Sequence, residues 1–172
     1  MTDNNELRGL RGWLILVGIG VVLSPFRLAL GYVPAYYSIF TDGTFQILTS
    51  ADSAAYHPLW GPLLVGEVLF NSGMMLISAY LIYLFFSKHY LFPKLYISVV
   101  GASLIFIPLD AWLGSFVITD EPMFNHATAK EFFRVLVVGI IWVPYMLLFK
   151  RVKATFVEKM PGKPMQSAVD RL

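Results

Sequence analysis

The sequence predicts an all-α polytopic membrane protein, a bundle of four antiparallel transmembrane helices. Its 172 residues are 57% hydrophobic and only 14% charged, and the mean hydropathy is +0.66. Because charged residues make up about 25% of a typical soluble domain, this composition excludes an ordinary soluble globular fold. Four apolar segments each reach the roughly 20 residues that a helix needs to cross the hydrocarbon layer.

The four apolar segments occupy residues 12–38, 59–87, 94–118 and 132–149. A short basic start precedes the first segment, as in a secretory signal, but the apolar stretch is too long and no small-residue cleavage site follows it. We therefore expect an uncleaved first helix and one membrane domain over residues 1–160.

The positions of lysine and arginine predict the orientation. If the N-terminus, the turn near residues 87–93 and the C-terminal tail share one side, that side carries ten basic residues: Arg8, Arg11, Lys88, Lys94, Lys150, Arg151, Lys153, Lys159, Lys163 and Arg171. The other side has Lys130 and the acidic residues Asp42, Asp52, Asp120, Glu121 and Glu131. By the positive-inside rule, both termini are predicted to be cytoplasmic.

An amphipathic pattern follows the fourth segment. Val152, Phe156 and Met160 recur at helical spacing, which predicts a juxtamembrane helix over residues 150–160 that lies along the membrane surface until Pro161. Residues 161–172 are predicted to be a disordered cytoplasmic tail.

The two outer connections contain turn and capping signals. In the first connection, Asp42 followed by Gly43 is a turn-forming pair. In the second, Thr128 precedes Glu131 by three residues, which is the spacing of a capping box and predicts Thr128 as the N-cap of the fourth helix.

Polar residues occur at one depth in all four segments. Arg27, Asp110 and Arg134 each lie 16 residues from a basic residue at the cytoplasmic flank, or about 24 Å along a helix that rises about 1.5 Å per residue. Asn71 lies at nearly the same depth, and Glu67 is one turn further out on the same helix face. We expect a polar cluster in the outer half of the bundle, formed by Arg27, Glu67, Asn71, Asp110 and Arg134.

The predicted cluster is formally neutral, as a buried network of paired charges should be. Pro25 precedes Arg27 by two residues, as Pro108 precedes Asp110, and we predict that these opposite charges face each other across the bundle. A charge at the centre of a bilayer costs about 2.5–3.5 kcal/mol on insertion scales. The cluster therefore stabilises the bundle, binds a small polar or anionic ligand from outside, or relays protons.

The sequence lacks the known catalytic constellations. It has no nucleophile elbow, no glycine-rich phosphate loop and no His-Glu-x-x-His helix. His57, His89 and His126 are scattered, and there is no cysteine, so we predict no metal site and no cofactor. The net charge of +2 gives no electrostatic footprint for nucleic acid. We expect a protein that is not an enzyme.

Three stretches together carry a family resemblance: "LRGLRGWLILVGIGVVLSP", "GEVLFNSGMMLI" and "IIWVPYMLLFKRVKATFV". They resemble the domain-of-unknown-function family 2569, which consists of small bacterial inner-membrane proteins with four predicted spans. The resemblance extends from about Leu7 to Val157 and is most specific from Trp142 to Phe156. It implies the four-span topology and a location in the bacterial inner (plasma) membrane, and it carries over no catalytic residue.

The sequence thus predicts a non-enzymatic inner-membrane protein surrounded by the lipid bilayer. Its outer-half polar cluster is either structural or binds a small polar or anionic ligand or a protein partner. The alternative is a proton-coupled or small-solute transport component that uses Glu67 and Asp110.

Overall fold

The regular structure of the described chain is entirely α-helical. The computed structural model describes residue 10 and residues 12–118 and 122–157. The helices are α1 (Trp13–Thr41), α2 (Thr44–Thr49), α3 (Trp60–Phe86), α4 (Phe92–Gly114), α5 (His126–Leu148) and α6 (Lys150–Thr155). The predicted all-α class is confirmed for these residues, and the four predicted segments overlap α1, α3, α4 and α5.

The four long helices present apolar surface to their surroundings. Each is long and apolar enough to cross a membrane. Leu30, Leu76, Ile105 and Ile140, one from each helix, are between 65% and 80% exposed. Contiguous apolar surface of this kind is unfavourable in water, whereas hydrocarbon solvates it. The chain is therefore a multi-pass membrane protein.

The long helices pack in chain order. α1 packs on α3, α3 on α4 and α4 on α5, while α2 packs on α1 and α3. Among the described residues, α1 and α5 form no backbone contact of comparable extent. Their side chains meet at Trp13 and Trp142, whose ring centroids are 6.3 Å apart, and at the salt bridge between Arg27 and Glu131. We call the space between these two contacts the α1–α5 gap.

An aromatic core closes the bundle where α3 turns into α4, and we call this the closed end. Phe156 follows α6, and its ring stacks on Phe92 at 4.6 Å and lies 5.9 Å from Phe85. The backbone leaves the helical conformation at Phe156, with φ −92° and ψ 72°, and this change directs the ring into the core. The helix predicted over residues 150–160 accordingly ends at Thr155, and the predicted tail at 161–172 lies outside the described residues.

The turn between α3 and α4 is held by hydrogen bonds to the last carbonyls of α3. The backbone N–H of Lys88 donates to the Phe85 carbonyl at 3.1 Å, and that of His89 donates to the Leu84 carbonyl at 2.9 Å. Lys88 has φ 52°, the left-handed conformation at the centre of a Schellman motif. This motif ends α3 sharply and lets α4 begin at Phe92.

The opposite, open end of the bundle begins where α1 ends. Asp42 accepts hydrogen bonds from the Thr44 backbone N–H at 2.9 Å and from the Ser38 hydroxyl at 3.0 Å. These bonds, led by those from Thr44, hold the pKa of Asp42 below its usual value. Gly43 has φ 86°, which favours glycine, so the predicted Asp42-Gly43 turn is present. The short helix α2 that follows it was not predicted.

The N-cap of α5 differs from the prediction. Asn125, rather than Thr128, occupies the cap position, and its side-chain oxygen accepts a hydrogen bond from the Thr128 backbone N–H at 2.9 Å. The helix therefore begins at His126, before the start that a cap at Thr128 implies and before the predicted apolar segment at residues 132–149. Asparagine is among the strongest N-cap residues, and the apolar pattern alone did not mark this extra first turn.

The close contact between Gly18 and Phe85 supplies a test of the closed end. A Cβ atom at Gly18 would lie 2.7 Å and 2.9 Å from two ring atoms of Phe85, whereas Gly20 has open space. The Phe85 ring is buried in the core and cannot move freely. Gly18→Ala should therefore destabilise the protein by about 1–3 kcal/mol, seen as a lower thermal unfolding midpoint in detergent. Gly20→Ala is the matched control, and equal midpoints for the two variants would contradict this packing.

Candidate functional site

A cavity of about 670 Å³ lies among the four long helices. All five residues of the predicted polar cluster line it: Arg27 from α1, Glu67 and Asn71 from α3, Asp110 from α4 and Arg134 from α5. Its volume lies in the range of roughly 300–1,000 Å³ that is typical of small-molecule sites. The residues that the sequence places at nearly one depth therefore line one cavity in the structure.

Glu131 links two arginines in what we call the arginine triad: Arg27, Glu131 and Arg134. Arg27 donates from Nη2 to Glu131 Oε1 at 2.9 Å and from Nη1 to Oε2 at 3.3 Å. Arg134, one turn along α5, donates to the same Oε1. The prediction that Arg27 faces Asp110 as its charge partner is therefore wrong. The salt-bridge partner of Arg27 is on α5 instead of α4, because α5 begins at His126 and therefore includes Glu131.

The second charged group of the cavity is a carboxyl pair on α3 and α4. Glu67 and Asp110 line the same cavity from neighbouring helices. An ionised carboxylate only accepts hydrogen bonds, so a hydrogen bond between two carboxyl groups requires a proton on one of them. The pair can therefore hold a proton, or it can accept hydrogen bonds from a ligand cation.

Two tyrosines complete the polar part of the cavity. Asn71 donates from Nδ2 to the Tyr36 hydroxyl at 2.9 Å and to the backbone carbonyl of Glu67 at 3.0 Å. Tyr32, one turn before Tyr36, lines the same cavity. The triad, the carboxyl pair and both tyrosines therefore share one cavity.

The rest of the cavity is mostly apolar. Towards the closed end its wall is formed by aliphatic and aromatic side chains, among them Val17, Met74, Val100 and Trp142. Phe70 and Phe106 stack at 3.6 Å across α3 and α4, and both line the cavity. The cavity therefore has a charged region towards the open end and an apolar region towards the closed end.

The arginine triad is not enclosed by the protein. The side chains of Arg27, Glu131 and Arg134 are 48%, 28% and 38% exposed. A structural ion network inside a membrane protein is expected to be packed away from its surroundings. Guanidinium groups that are accessible from a cavity are instead suited to bind a carboxylate or a phosphate.

Glu131, Tyr32 and Tyr36 were not predicted as site residues. Glu131 was assigned to the acidic outer surface and to helix capping. It lies three residues before Arg134 and hence one helical turn further out, as Glu67 does relative to Asn71, and this spacing could have identified it. The tyrosines lie five and nine residues after Arg27, which is not the spacing of one helix face, and aromatic residues near a span end are more often interface anchors.

The described residues contain no group of three His, Cys, Asp or Glu side chains placed to hold a metal ion. The polar side chains that line the cavity carry guanidinium, carboxyl, amide, phenol and aliphatic hydroxyl groups.

Comparison with family models places residues 7–157 in the family described as "Protein of unknown function (DUF2569)". Comparisons with curated proteins and with solved structures find no match. The match covers most of the chain and agrees with the four membrane-spanning helices, so the resemblance seen in the sequence is confirmed and the chain belongs to the DUF2569 family.

Proposed function

We propose that this protein is a non-enzymatic ligand-binding protein of the bacterial inner membrane. It is an antiparallel four-span bundle with both termini in the cytoplasm, and its cavity receives a small polar or anionic ligand from the outer side. The observation that carries this proposal is the accessible arginine triad in a cavity of about 670 Å³.

The charge of the triad favours an anion. Two guanidinium groups share one carboxylate, which leaves one formal positive charge. Each guanidinium has five N–H donors in a planar fork that matches the oxygens of a carboxylate or phosphate. Glu131 occupies part of this donor set in the structure, and an anionic ligand would bind to the remaining donors or replace one of the Glu131 contacts.

Packing and charge support the antiparallel topology. Leu14 near the start of α1 shares the closed-end core with Phe85 near the end of α3 and with Met146 near the end of α5. The residues assigned to the cytoplasmic side carry most of the positive charge, as the positive-inside rule requires.

This topology can be tested by cysteine labelling because the natural chain contains no cysteine. Asp52→Cys, in the α2–α3 connection, should react with a membrane-impermeant maleimide in intact spheroplasts. Ser87→Cys, in the α3–α4 turn, should react only after the membrane is permeabilised. If Ser87→Cys is labelled in intact spheroplasts and Asp52→Cys is protected, the orientation is the opposite of the one proposed.

Anion binding should raise the thermal stability of the purified protein. Inorganic phosphate or a short-chain carboxylate at about 100 times its Kd would stabilise the folded state by about 2.7 kcal/mol. Arg27→Gln should abolish this increase in the unfolding midpoint. The substitution itself should cost only about 0–1 kcal/mol, because Arg27 is nearly half exposed.

Lys130→Gln is the matched control for this experiment. It removes one positive charge from an exposed position on α5 and should leave the anion effect unchanged. A purely structural network predicts a different result: Arg27→Gln would cost about 3–5 kcal/mol, as for a broken buried pair, and no anion would stabilise the wild-type protein.

The carboxyl pair supports a second candidate function, proton-coupled or small-solute transport. Glu67 and Asp110 come from different helices and line one cavity within the membrane-spanning region. Proton relays in membrane proteins use carboxyl groups in such positions.

Transport predicts a proton flux in proteoliposomes. An imposed pH gradient should dissipate faster with the wild-type protein than in empty liposomes, and Asp110→Asn should reduce the rate to that of empty liposomes. Asp52→Asn, which changes an exposed carboxylate in the α2–α3 connection, should retain the flux. If the wild-type protein gives no flux with or without added phosphate, the transport function is excluded.

A further inference from the structure

The charges of the cavity are divided between its two sides. The guanidinium groups of Arg27 and Arg134 lie on α1 and α5, held by Glu131. Glu67 on α3 and Asp110 on α4 line the other side. The positive side suits an anionic group, and the acidic side suits a cation with N–H donors. A ligand that carries both groups close together would complement the whole polar region.

The apolar region of the cavity adds a second requirement. It continues from the charged region towards the closed end through Val17, Met74 and Val100 as far as Trp142. A small hydrophilic ion would leave this surface without an apolar partner, whereas a hydrocarbon chain attached to the ligand would cover it. The cavity therefore has the polarity of an amphiphile, with a charged head and an apolar tail.

The α1–α5 gap offers a path from the bilayer. α1 and α5 both line the cavity but are not packed along their length in the described part of the chain. The Arg27–Glu131 salt bridge and the Trp13–Trp142 contact bound this gap. Because both are side-chain contacts, rotamer changes would widen the gap without repacking a helix interface.

We infer that the ligand is a membrane lipid whose headgroup contains a phosphate and a primary ammonium group, and that it enters through the α1–α5 gap. This inference rests on the proposed function and specifies its ligand. The phosphate binds Arg27 and Arg134, and the ammonium donates to Glu67 and Asp110. One acyl chain follows the apolar wall, and the remainder of the lipid stays in the bilayer.

The chemistry of the headgroup predicts which phospholipids bind most tightly. A primary ammonium has three N–H donors for the carboxyl pair, whereas the trimethylammonium group of choline has none. A glycerol headgroup retains the phosphate but lacks the positive charge. Phosphatidylethanolamine should therefore bind more tightly than phosphatidylcholine or phosphatidylglycerol with the same acyl chains.

The experiment measures binding of these three lipids to the full-length protein in detergent by native mass spectrometry. The expected Kd for phosphatidylethanolamine is at least tenfold lower than for the other two. The double variant Glu67→Gln/Asp110→Asn should lose this preference but still bind phospholipids. Arg134→Gln should weaken the binding of all three.

A space-filling variant tests the cavity without changing its charges. Gly20 lines the cavity, and a Cβ atom there would meet no neighbour within 4 Å. Gly20→Leu should therefore fold and weaken phosphatidylethanolamine binding at least tenfold. Gly31→Leu is its matched control, because Gly31 is also on α1 in open space but does not line the cavity. Unfolding midpoints of both variants would separate blocked binding from misfolding.

Water-soluble phosphoethanolamine separates this inference from the proposed function. If it binds as tightly as the lipid, the lipid assignment is wrong; if phosphatidylcholine binds as tightly as phosphatidylethanolamine, the primary-ammonium assignment is wrong. In both cases ligand binding in the cavity stands. If neither the lipids nor phosphoethanolamine nor inorganic phosphate binds, both the inference and the proposed function fail. If Gly31→Leu weakens binding as much as Gly20→Leu, the lipid does not occupy this cavity.

Discussion

The carboxylate of Glu131 joins the first and last long helices at the charged region of the cavity. The helices pack in chain order from α1 to α5, so the first and last of the long helices are joined mainly by side chains. Glu131 supplies one such junction by accepting from Arg27 on α1 while also binding Arg134 on its own helix. One residue thus positions both guanidinium groups and holds one boundary of the α1–α5 gap.

The two ends of the bundle are stabilised by different physical interactions. At the closed end, the rings of Phe85, Phe92 and Phe156 fill the space between the helices, and α6 adds Val152 to the same core. At the open end, polar side chains line the cavity and leave space between the helices. Dispersion and shape therefore fix the helices at one end, which allows the other end to remain unfilled.

The sequence predicts most of this fold because the bilayer constrains it strongly. A helix is the only single segment that satisfies its own backbone groups in hydrocarbon, so apolar length alone locates α1, α3, α4 and α5. Depth could also be counted along each helix, which grouped Arg27, Asp110 and Arg134. The direction in which each helix face points depends on packing and cannot be counted along the chain. The predicted pairing of Arg27 with Asp110 was wrong for that reason.

Glu131 was missed for a different reason. It lies within the first two turns of α5, which begins at His126, before the predicted apolar segment at residues 132–149. Its spacing of three from Arg134 was visible in the sequence, but the side chain was assigned to the outer surface and to a capping box with Thr128 instead of to Arg134.

The exposure of the triad bears on how a membrane protein can accommodate its three charged side chains. A charged group in hydrocarbon needs a partner, water or a path to the interface. Glu131 partners both arginines, yet all three side chains remain more than a quarter exposed, so the network does not satisfy itself in isolation. Its remaining donors are accessible from outside the network. The same groups that would destabilise a fully apolar bundle therefore create the polar site, and the apolar wall beside them restricts which ligands cover both surfaces.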